Sequence, residues 1–176
     1  MCFLMGCFVA RWREVIVQIF VTGGTIDKVY NPSNGELQLN ETQVLAMLER
    51  ARATGVDVEL ETLMLKDSLD MQPEDREIIA KACEQTLQQQ VLITHGTDTM
   101  VATAQRLAKL KSSKTIVLLG AMIPYRIAQS DALFNLGAAM AAVQCLPAGV
   151  YITMSGRVFE WDQVVKDRVS VSFVDA

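Results

Sequence analysis

The stretch VIVQIFV at Val15–Val21 runs directly into TGGTI at Thr22–Ile26, and this junction decides the fold. The same change occurs downstream, where VLI at Val91–Ile93 leads into THGTDT at Thr94–Thr99. Nearly unbroken apolar runs of this kind predict strands that are buried on both faces of a sheet. If the two strands are parallel neighbours, their carboxyl ends meet at one edge, which is where open α/β sheets bind ligands.

The rest of the chain continues the alternation of strands and helices. Three further strands are predicted, at Val56–Leu65 near a sheet edge, at Thr115–Leu119 and at Gly149–Met154. Four helices are predicted: one capped by Asn40 and stopped at Gly55, one with Pro73 in its first turn, one from Asp98 to about Leu110, and one from the cap Ser130 to Val143. This order predicts an α/β fold with a doubly wound, mostly parallel sheet flanked by helices.

Length and composition favour one folded domain. The chain has 176 residues, 51% of them hydrophobic, and a net charge of -4. We expect a single domain over residues 15–176, preceded by an extension over residues 1–14. Scattered Lys and Arg give no footprint for nucleic acid, and the apolar runs fall short of the roughly 20 residues of a membrane span.

The cysteines and the amino-terminal residues indicate the cellular compartment of the protein. Four cysteines form no CxxC pair and no zinc spacing with the one histidine, so we expect no metal, reduced thiols and a cytoplasmic protein. The apolar stretch Met1–Ala10 precedes Arg11 and Arg13, whereas a secretory signal has its positive charge first. An extension ahead of the fold is therefore favoured, with a short signal peptide as the alternative.

Thr25 is the first candidate for chemistry. Gly23 and Gly24 let the backbone turn tightly and approach a ligand, and a hydroxyl just beyond them can act as a nucleophile if a neighbour takes its proton. The alternative is a plain strand-to-loop turn. His95, next to a buried strand, is interpreted as a packed structural histidine rather than a catalytic one.

Thr97, Asp98 and Lys166 are the other candidates. Asp98 can hold a substrate ammonium, and either Thr97 or Asp98 can instead cap the following helix. A lysine desolvated in a pocket can serve as a base, so Lys166 is a candidate; the alternative is a surface lysine paired with Asp162 or Asp167. Neither a Gly-x-Gly-x-x-Gly nor a Walker A loop is present, which weighs against a nucleotide-binding protein.

Several of these segments resemble one known family. The motifs at Thr22–Ile26, Thr94–Thr99 and Gly120–Pro124 are similar to those of the bacterial-type L-asparaginases and the related glutaminases. Asp67–Met71 resembles the serine loop of that family, and Ser130–Leu136 resembles its next helix start. The resemblance runs from Val15 to Lys166, with the fold expected of the N-terminal asparaginase domain.

The resemblance implies hydrolysis of a small amino-acid amide, asparagine first, to the acid and ammonia. Thr25 is then the nucleophile that forms an acyl-threonine, while Thr97, Asp98 and Lys166 handle protons. Ser68 is expected to bind the substrate carboxylate and Asp98 the substrate ammonium, with the backbone N–H of Thr97 facing the oxyanion. No metal or organic cofactor is implied, and the family suggests a homo-oligomer, either a dimer or a tetramer.

The chain departs from the family pattern in three ways. It stops soon after Lys166, where members usually carry a C-terminal domain that helps to complete the site of a neighbouring subunit. Leu69 stands where many members have glutamine, and Tyr30 follows Thr25 at a shorter spacing than the family's activating tyrosine. A second hypothesis is therefore a non-catalytic module that binds an amino acid or amide without hydrolysing it.

Overall fold

A six-stranded sheet flanked by helices organises residues 15–176, the part of the chain that the computed structural model describes. The extension predicted over residues 1–14 lies outside the described residues. The strands are β1 (Ile16–Gly23), β2 (Val29–Asn31), β3 (Glu36–Gln38), β4 (Asp57–Lys66), β5 (Gln90–Thr94), β6 (Thr115–Leu119), β7 (Gly149–Met154), β8 (Arg157–Glu160), β9 (Val164–Asp167) and β10 (Ser172–Asp175). The helices are α1 (Val44–Arg50), α2 (Pro73–Gln85), α3 (Met100–Ala108) and α4 (Ala132–Cys145).

The strand order of the main sheet is β4-β1-β5-β6-β7-β8. Its first five strands are parallel, and only β8 runs antiparallel to its neighbour β7. Ile19 in β1 lies opposite Leu60 of β4 on one side and Leu92 of β5 on the other. The prediction that the two apolar runs are parallel neighbours is thus confirmed, and so is the mostly parallel sheet.

Helices cover both faces of this sheet, each over its own hydrophobic cluster. Val17, Ile19 and Val21 of β1 pack on the side of α1 and α4, whereas Phe20 packs on the side of α2 and α3. All four side chains are at most 1% exposed. Since successive residues of a strand point to opposite faces, a nearly unbroken apolar run is typical of a strand in a sheet covered on both faces.

The first helix is shorter than predicted and starts later. Asn40 does not cap it: α1 begins at Val44 and ends at Arg50, well before Gly55. Asp27, 16 residues upstream, accepts the N–H of Gln43 at 2.7 Å through its Oδ1. A buried carboxylate from another part of the chain therefore supplies the helix start that local sequence assigned to Asn40.

The parallel strands bring four polar loops to one edge of the sheet. The loops follow β4, β1, β5 and β6, and they begin at Asp67, Gly24, His95 and Gly120. Open α/β sheets bind ligands at this carboxyl edge, so the site is expected there.

Within the described residues, no helix is both long and apolar enough to cross a membrane.

Candidate active site

Two glycines bring the loops that follow β1 and β5 into backbone contact. Gly24 has φ +89° and ψ -177°, a conformation that is open essentially to glycine alone. A Cβ on Gly24 would lie 2.4 Å from the backbone nitrogen of Gly96, so no side chain fits between the two loops. Thr25 and Thr97 each follow one of these glycines by one residue, which places both threonine-bearing segments side by side.

The loop after β4 packs onto the same glycine. A Cβ on Gly96 would stand 2.5 Å from the Cβ of Ser68, which is itself buried. Ser68 Oγ accepts the N–H of Asp98 at 3.2 Å, and its carbonyl accepts the hydroxyl of Thr99 at 2.8 Å. The serine loop is thus fastened to the start of the β5–α3 loop through both the side chain and the backbone of Ser68.

Lys166 reaches this cluster from a distant part of the chain. Its Nζ lies 2.7 Å from Thr97 Oγ1 and 2.8 Å from Asp98 Oδ1. The side chains of Lys166 and Asp98 are 13% and 33% exposed, so the pair sits just below the surface. Together, a lysine amine, a hydroxyl and a carboxylate can take a proton from a reacting hydroxyl and deliver it to a leaving group.

Thr25 starts a short 3-10 turn, Thr25–Asp27, directly after Gly24. The residue is half-buried, and its carbonyl accepts the N–H of Lys28 at 3.1 Å. The structure thus brings Ser68, Thr97, Asp98 and Lys166 into one hydrogen-bonded cluster, and it places Thr25 in the loop that adjoins them.

The loop that begins at Gly120 closes the edge on the far side of His95. A Cβ on Gly120 would stand 2.5 Å from the carbonyl oxygen of His95. Asp131 holds the loop from the start of α4, because its Oδ1 accepts the N–H groups of Met122 and Ile123, both at 3.0 Å. Gly120 therefore packs directly against the backbone of the loop that carries Thr97 and Asp98.

His95 is fully buried beneath this cluster. Its Nδ1 lies 2.7 Å from the carbonyl oxygen of Gly96, and its Nε2 lies 2.8 Å from Thr103 Oγ1. A carbonyl can only accept, so Nδ1 carries the proton and Nε2 accepts from Thr103. Burial lowers the pKa of His95 to about 4, with the charge of Arg76 acting in the same direction and the bond to Gly96 opposing it. The neutral ring thus supports the loop structurally.

Tyr30 and Leu69, the two departures noted in the sequence, are both largely exposed. Tyr30 lies in β2 opposite Leu37 of β3, and Leu69 follows Ser68 at the surface. Leu37 and Leu69 line a groove of about 450 Å³ between the β2–β3 hairpin and the serine loop. The hydrogen bonds that join Ser68, Thr97, Asp98 and Lys166 involve neither residue.

Sequence reasoning missed three charged residues next to the site: Asp27, Lys28 and Asp67. Asp27 is fully buried; desolvation raises its pKa to about 6, although the bonds from Gln43 and Thr42 act against that rise. Lys28 and Asp67 form an ion pair between the Thr25 turn and the serine loop. The partners are 39 residues apart, so no local pattern announces them.

A metal site needs several ligating side chains close together. Among residues 15–176, no group of three or more His, Cys, Asp and Glu side chains is arranged to hold a metal ion. The groups that meet at this edge of the sheet are hydroxyls, a lysine, a carboxylate and backbone N–H groups.

Comparison with known proteins gives a consistent set of relatives. A family model described as "Asparaginase, N-terminal" matches residues 16–172. The chain is 29% identical to the L-asparaginase of Thermococcus kodakarensis over 149 residues, which are 82% of this chain and 45% of that protein. It is 30% identical to L-asparaginase 1 of Escherichia coli K12 over 161 residues, 85% of this chain and 47% of that protein.

The fold is similar as well. The solved structure of the thermostable L-asparaginase from Thermococcus kodakarensis superposes with a TM-score of 0.83 at 26% identity, covering 92% of this chain and 51% of that one. The chain thus spans about half the length of the relatives it matches.

Proposed function

This chain belongs to the asparaginase family, and from that premise we propose that it hydrolyses the side-chain amide of asparagine to aspartate and ammonia. The observation that carries the proposal is the position of Lys166, whose Nζ bridges Thr97 Oγ1 and Asp98 Oδ1 beside the loop of Thr25. Two curated relatives are named L-asparaginase, which supports asparagine as the first amide to test.

The proposed reaction has two steps. Thr25 Oγ attacks the amide carbon, the C–N bond breaks, and ammonia leaves with the proton that the hydroxyl gave up. Water then cleaves the acyl-threonine ester, which returns Thr25 and releases the acid. Lys166 and Thr97 move the proton in both steps, which requires Lys166 to give up a proton before it can accept one.

Asp98 and Ser68 are also proposed to bind the two charged ends of the substrate. Asp98 gives only Oδ1 to Lys166 and is one-third exposed, so its second oxygen is free to accept from a substrate ammonium. Ser68 Oγ accepts from Asp98 N–H and keeps its own proton to donate to a carboxylate. The backbone N–H of Thr97 is proposed as a donor to the developing oxyanion.

An ammonia-release assay over a small panel of amides tests the proposal. Asparagine, glutamine and simple acyl amides are compared for the wild type, Thr25→Ala, and the matched control Thr54→Ala at an exposed threonine. We expect ammonia from asparagine with wild type and control, and none with Thr25→Ala. Mass spectrometry of quenched reactions should show an acyl group on residue 25.

A different outcome identifies the alternative function. If asparagine binds in calorimetry, no ammonia is released, and Thr25→Ala leaves the affinity unchanged, the chain is a binding module. If neither binding nor release occurs with any amide of the panel, both proposals fail.

We further propose that residues 15–176 form one domain that assembles into a homo-oligomer in the cytoplasm. Four valines of the last strands and turns are exposed, namely Val158, Val165, Val169 and Val171. Burying exposed apolar side chains between copies of the chain would favour assembly. Light scattering on the purified chain tests the assembly, and a monomer at all concentrations would contradict it.

A further inference from the structure

Two contacts tie the Thr25 turn to the last residue of β4 and to the first residue of the loop that follows it. The first joins backbone to backbone, with the N–H of Gly24 donating to the carbonyl oxygen of Lys66 at 2.9 Å. The second joins side chain to side chain, with Lys28 Nζ paired to Asp67 Oδ2. The two contacts lie on either side of Thr25, so together they fix both ends of the turn that carries the proposed nucleophile.

Lys28 is rigidly connected to Thr25 through the backbone. Its N–H donates to the carbonyl oxygen of Thr25 at 3.1 Å, and the N–H of Asp27 donates to the carbonyl oxygen of Gly24 at the same distance. These two bonds close the 3-10 turn. The backbone of Lys28 is therefore coupled directly to the backbone of Thr25 by this turn.

Asp67 is equally well fixed at the other end. Its Oδ1 accepts the N–H of Leu69 at 3.1 Å, and its carbonyl oxygen accepts the N–H of Asp70 at 3.1 Å. Burial alone would raise the pKa of Asp67, but the bonds from Lys28 and Leu69, and the charges of Lys28 and Lys166, together lower it below the ordinary 3.8. The carboxylate is thus charged at neutral pH and stands immediately before Ser68.

Partial exposure argues against a mainly stabilising role for this ion pair. The side chains of Lys28 and Asp67 are 23% and 28% exposed, and they line the groove beside the β2–β3 hairpin. Ion pairs that water can reach contribute little to the free energy of unfolding. Misplacing a reacting group by about 1 Å, in contrast, can cost on the order of a hundredfold in rate.

We propose that Lys28 and Asp67 form a clasp that holds the Thr25 turn against the serine loop, and so sets the distance between nucleophile and bound substrate. Lys28 and Asp67 are positioning residues, because they act through Thr25 and Ser68. The inference rests on the proposed hydrolase function for its kinetic part. The claim that the ion pair holds the two loops together does not depend on that function.

The test compares Lys28→Met and Asp67→Asn with the conservative Lys28→Arg. The matched control is Arg106→Met, which breaks an ion pair with Glu77 that joins α2 and α3 away from the site. We expect kcat for asparagine to fall at least about tenfold in Lys28→Met and Asp67→Asn, with most of the loss recovered in Lys28→Arg. The change in Tm should be no larger than in the control.

Hydrogen–deuterium exchange measures the protection of the two loops directly and does not require the protein to be an active enzyme. We expect faster exchange in both variants across residues 24–31 and also across residues 66–71, with no change in these segments in Arg106→Met. Unchanged protection overturns the clasp, and so does a kcat within about twofold of wild type. A Tm loss well beyond the control overturns the positioning role, because the pair would then act on stability.

The two proposals fail separately. A wild-type chain that releases no ammonia contradicts the hydrolase function, and exchange in the two segments still decides whether the clasp exists. If Lys28→Met does not fold, Asp67→Asn makes the same comparison from the other partner of the pair.

Discussion

Gly24 and Gly96, which follow neighbouring parallel strands, meet backbone to backbone at the carboxyl edge of the sheet. A Cβ on Gly24 would lie 2.4 Å from Gly96 N and 2.5 Å from Gly96 Cα. The separation of the two threonine-bearing loops is therefore set by the absence of a side chain at this one point. The adjoining loops can approach each other only because residue 24 is glycine.

Gly24→Ala should accordingly destabilise the fold and disturb the site together. The residue has φ +89° and ψ -177°, where a non-glycine residue costs about 1–3 kcal/mol, and the clash adds to this. We expect Tm to fall by at least about 4 °C in calorimetry, since each kcal/mol corresponds to about 2–4 °C at this chain length. Ammonia release should fall with it.

The control for this substitution is Gly137→Ala. Gly137 is exposed on α4, and a Cβ there meets nothing within 4 Å. An alanine in an exposed helix interior is about 0.5–1 kcal/mol more favourable than glycine, so Tm should stay level or rise. Equal Tm losses in the two variants would contradict the importance of the Gly24–Gly96 contact.

The sheet could be predicted from sequence because its strands carry their own signal. β1, β5 and β6 are each built around an apolar run, interrupted in β1 only by Gln18, and such runs are typical of strands buried on both faces. The start of α1 could not be predicted, because the carboxylate that accepts from Gln43 comes from Asp27 and not from a neighbour. Local patterns identify local caps, and this cap is not local.

In the site, too, some residues could be predicted from local sequence, whereas others depend on contacts between distant parts of the chain. Thr25, Thr97 and Lys166 could be singled out because each stands in or after a strand end with a recognisable motif or spacing. The Lys28–Asp67 pair gives no such signal, because lysine and aspartate are common on protein surfaces and their presence in a sequence predicts no specific contact. Only the folded chain shows that they face each other between two loops.

Lys166→Met should remove most of the proposed activity. The variant keeps the length and apolar stem of the side chain but removes the Nζ that contacts Thr97 and Asp98. Loss of a group that transfers protons costs about a hundredfold to ten-thousandfold in rate, so kcat for asparagine should fall within that range. Lys81→Met, at an exposed position on α2, is the control and should keep its full rate.

A drop in kcat of less than about threefold in Lys166→Met would assign Lys166 to structure rather than to proton transfer. Thermal unfolding of the same samples separates the two roles. The Lys166–Asp98 pair is partly exposed, so its removal should cost about 1 kcal/mol or less.

The single histidine gives a direct test of the site's core by NMR. Since the chain has one histidine, its imidazole nitrogen signals need no assignment by mutation. We expect the ring to stay neutral at pH 6 and to titrate near its lowered pKa of about 4, with the proton on Nδ1. In the urea-unfolded chain the midpoint should return to about 6.5. A midpoint near 6.5 in the folded chain would show that His95 is not buried between Gly96 and Thr103.

Asp27 provides the last prediction, in which the pH dependence of stability has a definite sign. Burial raises the pKa of Asp27 from 3.8 to about 6, so between these values the folded chain binds a proton that the unfolded chain has lost. The contribution of this carboxyl to the free energy of unfolding is therefore fully present below about pH 4 and is lost as the pH rises through about 6.

Asp27→Asn should reveal this loss in urea unfolding between about pH 4 and 7. Asparagine keeps an oxygen for the N–H of Gln43 and stays neutral, so the variant resembles the protonated acid at every pH. Its stability relative to wild type should rise by roughly 3 kcal/mol across this range and level off above about pH 7, because each pKa unit corresponds to about 1.4 kcal/mol. Asp167→Asn is the opposing control, measured at lower pH. The bonds from Ser170 and Val169 lower the pKa of Asp167 below 3.8, so the stability of that variant relative to wild type should fall as the pH rises toward about 4. A pH-independent difference for Asp27→Asn would mean that Asp27 is charged and solvated, contrary to its burial under the Thr25 turn.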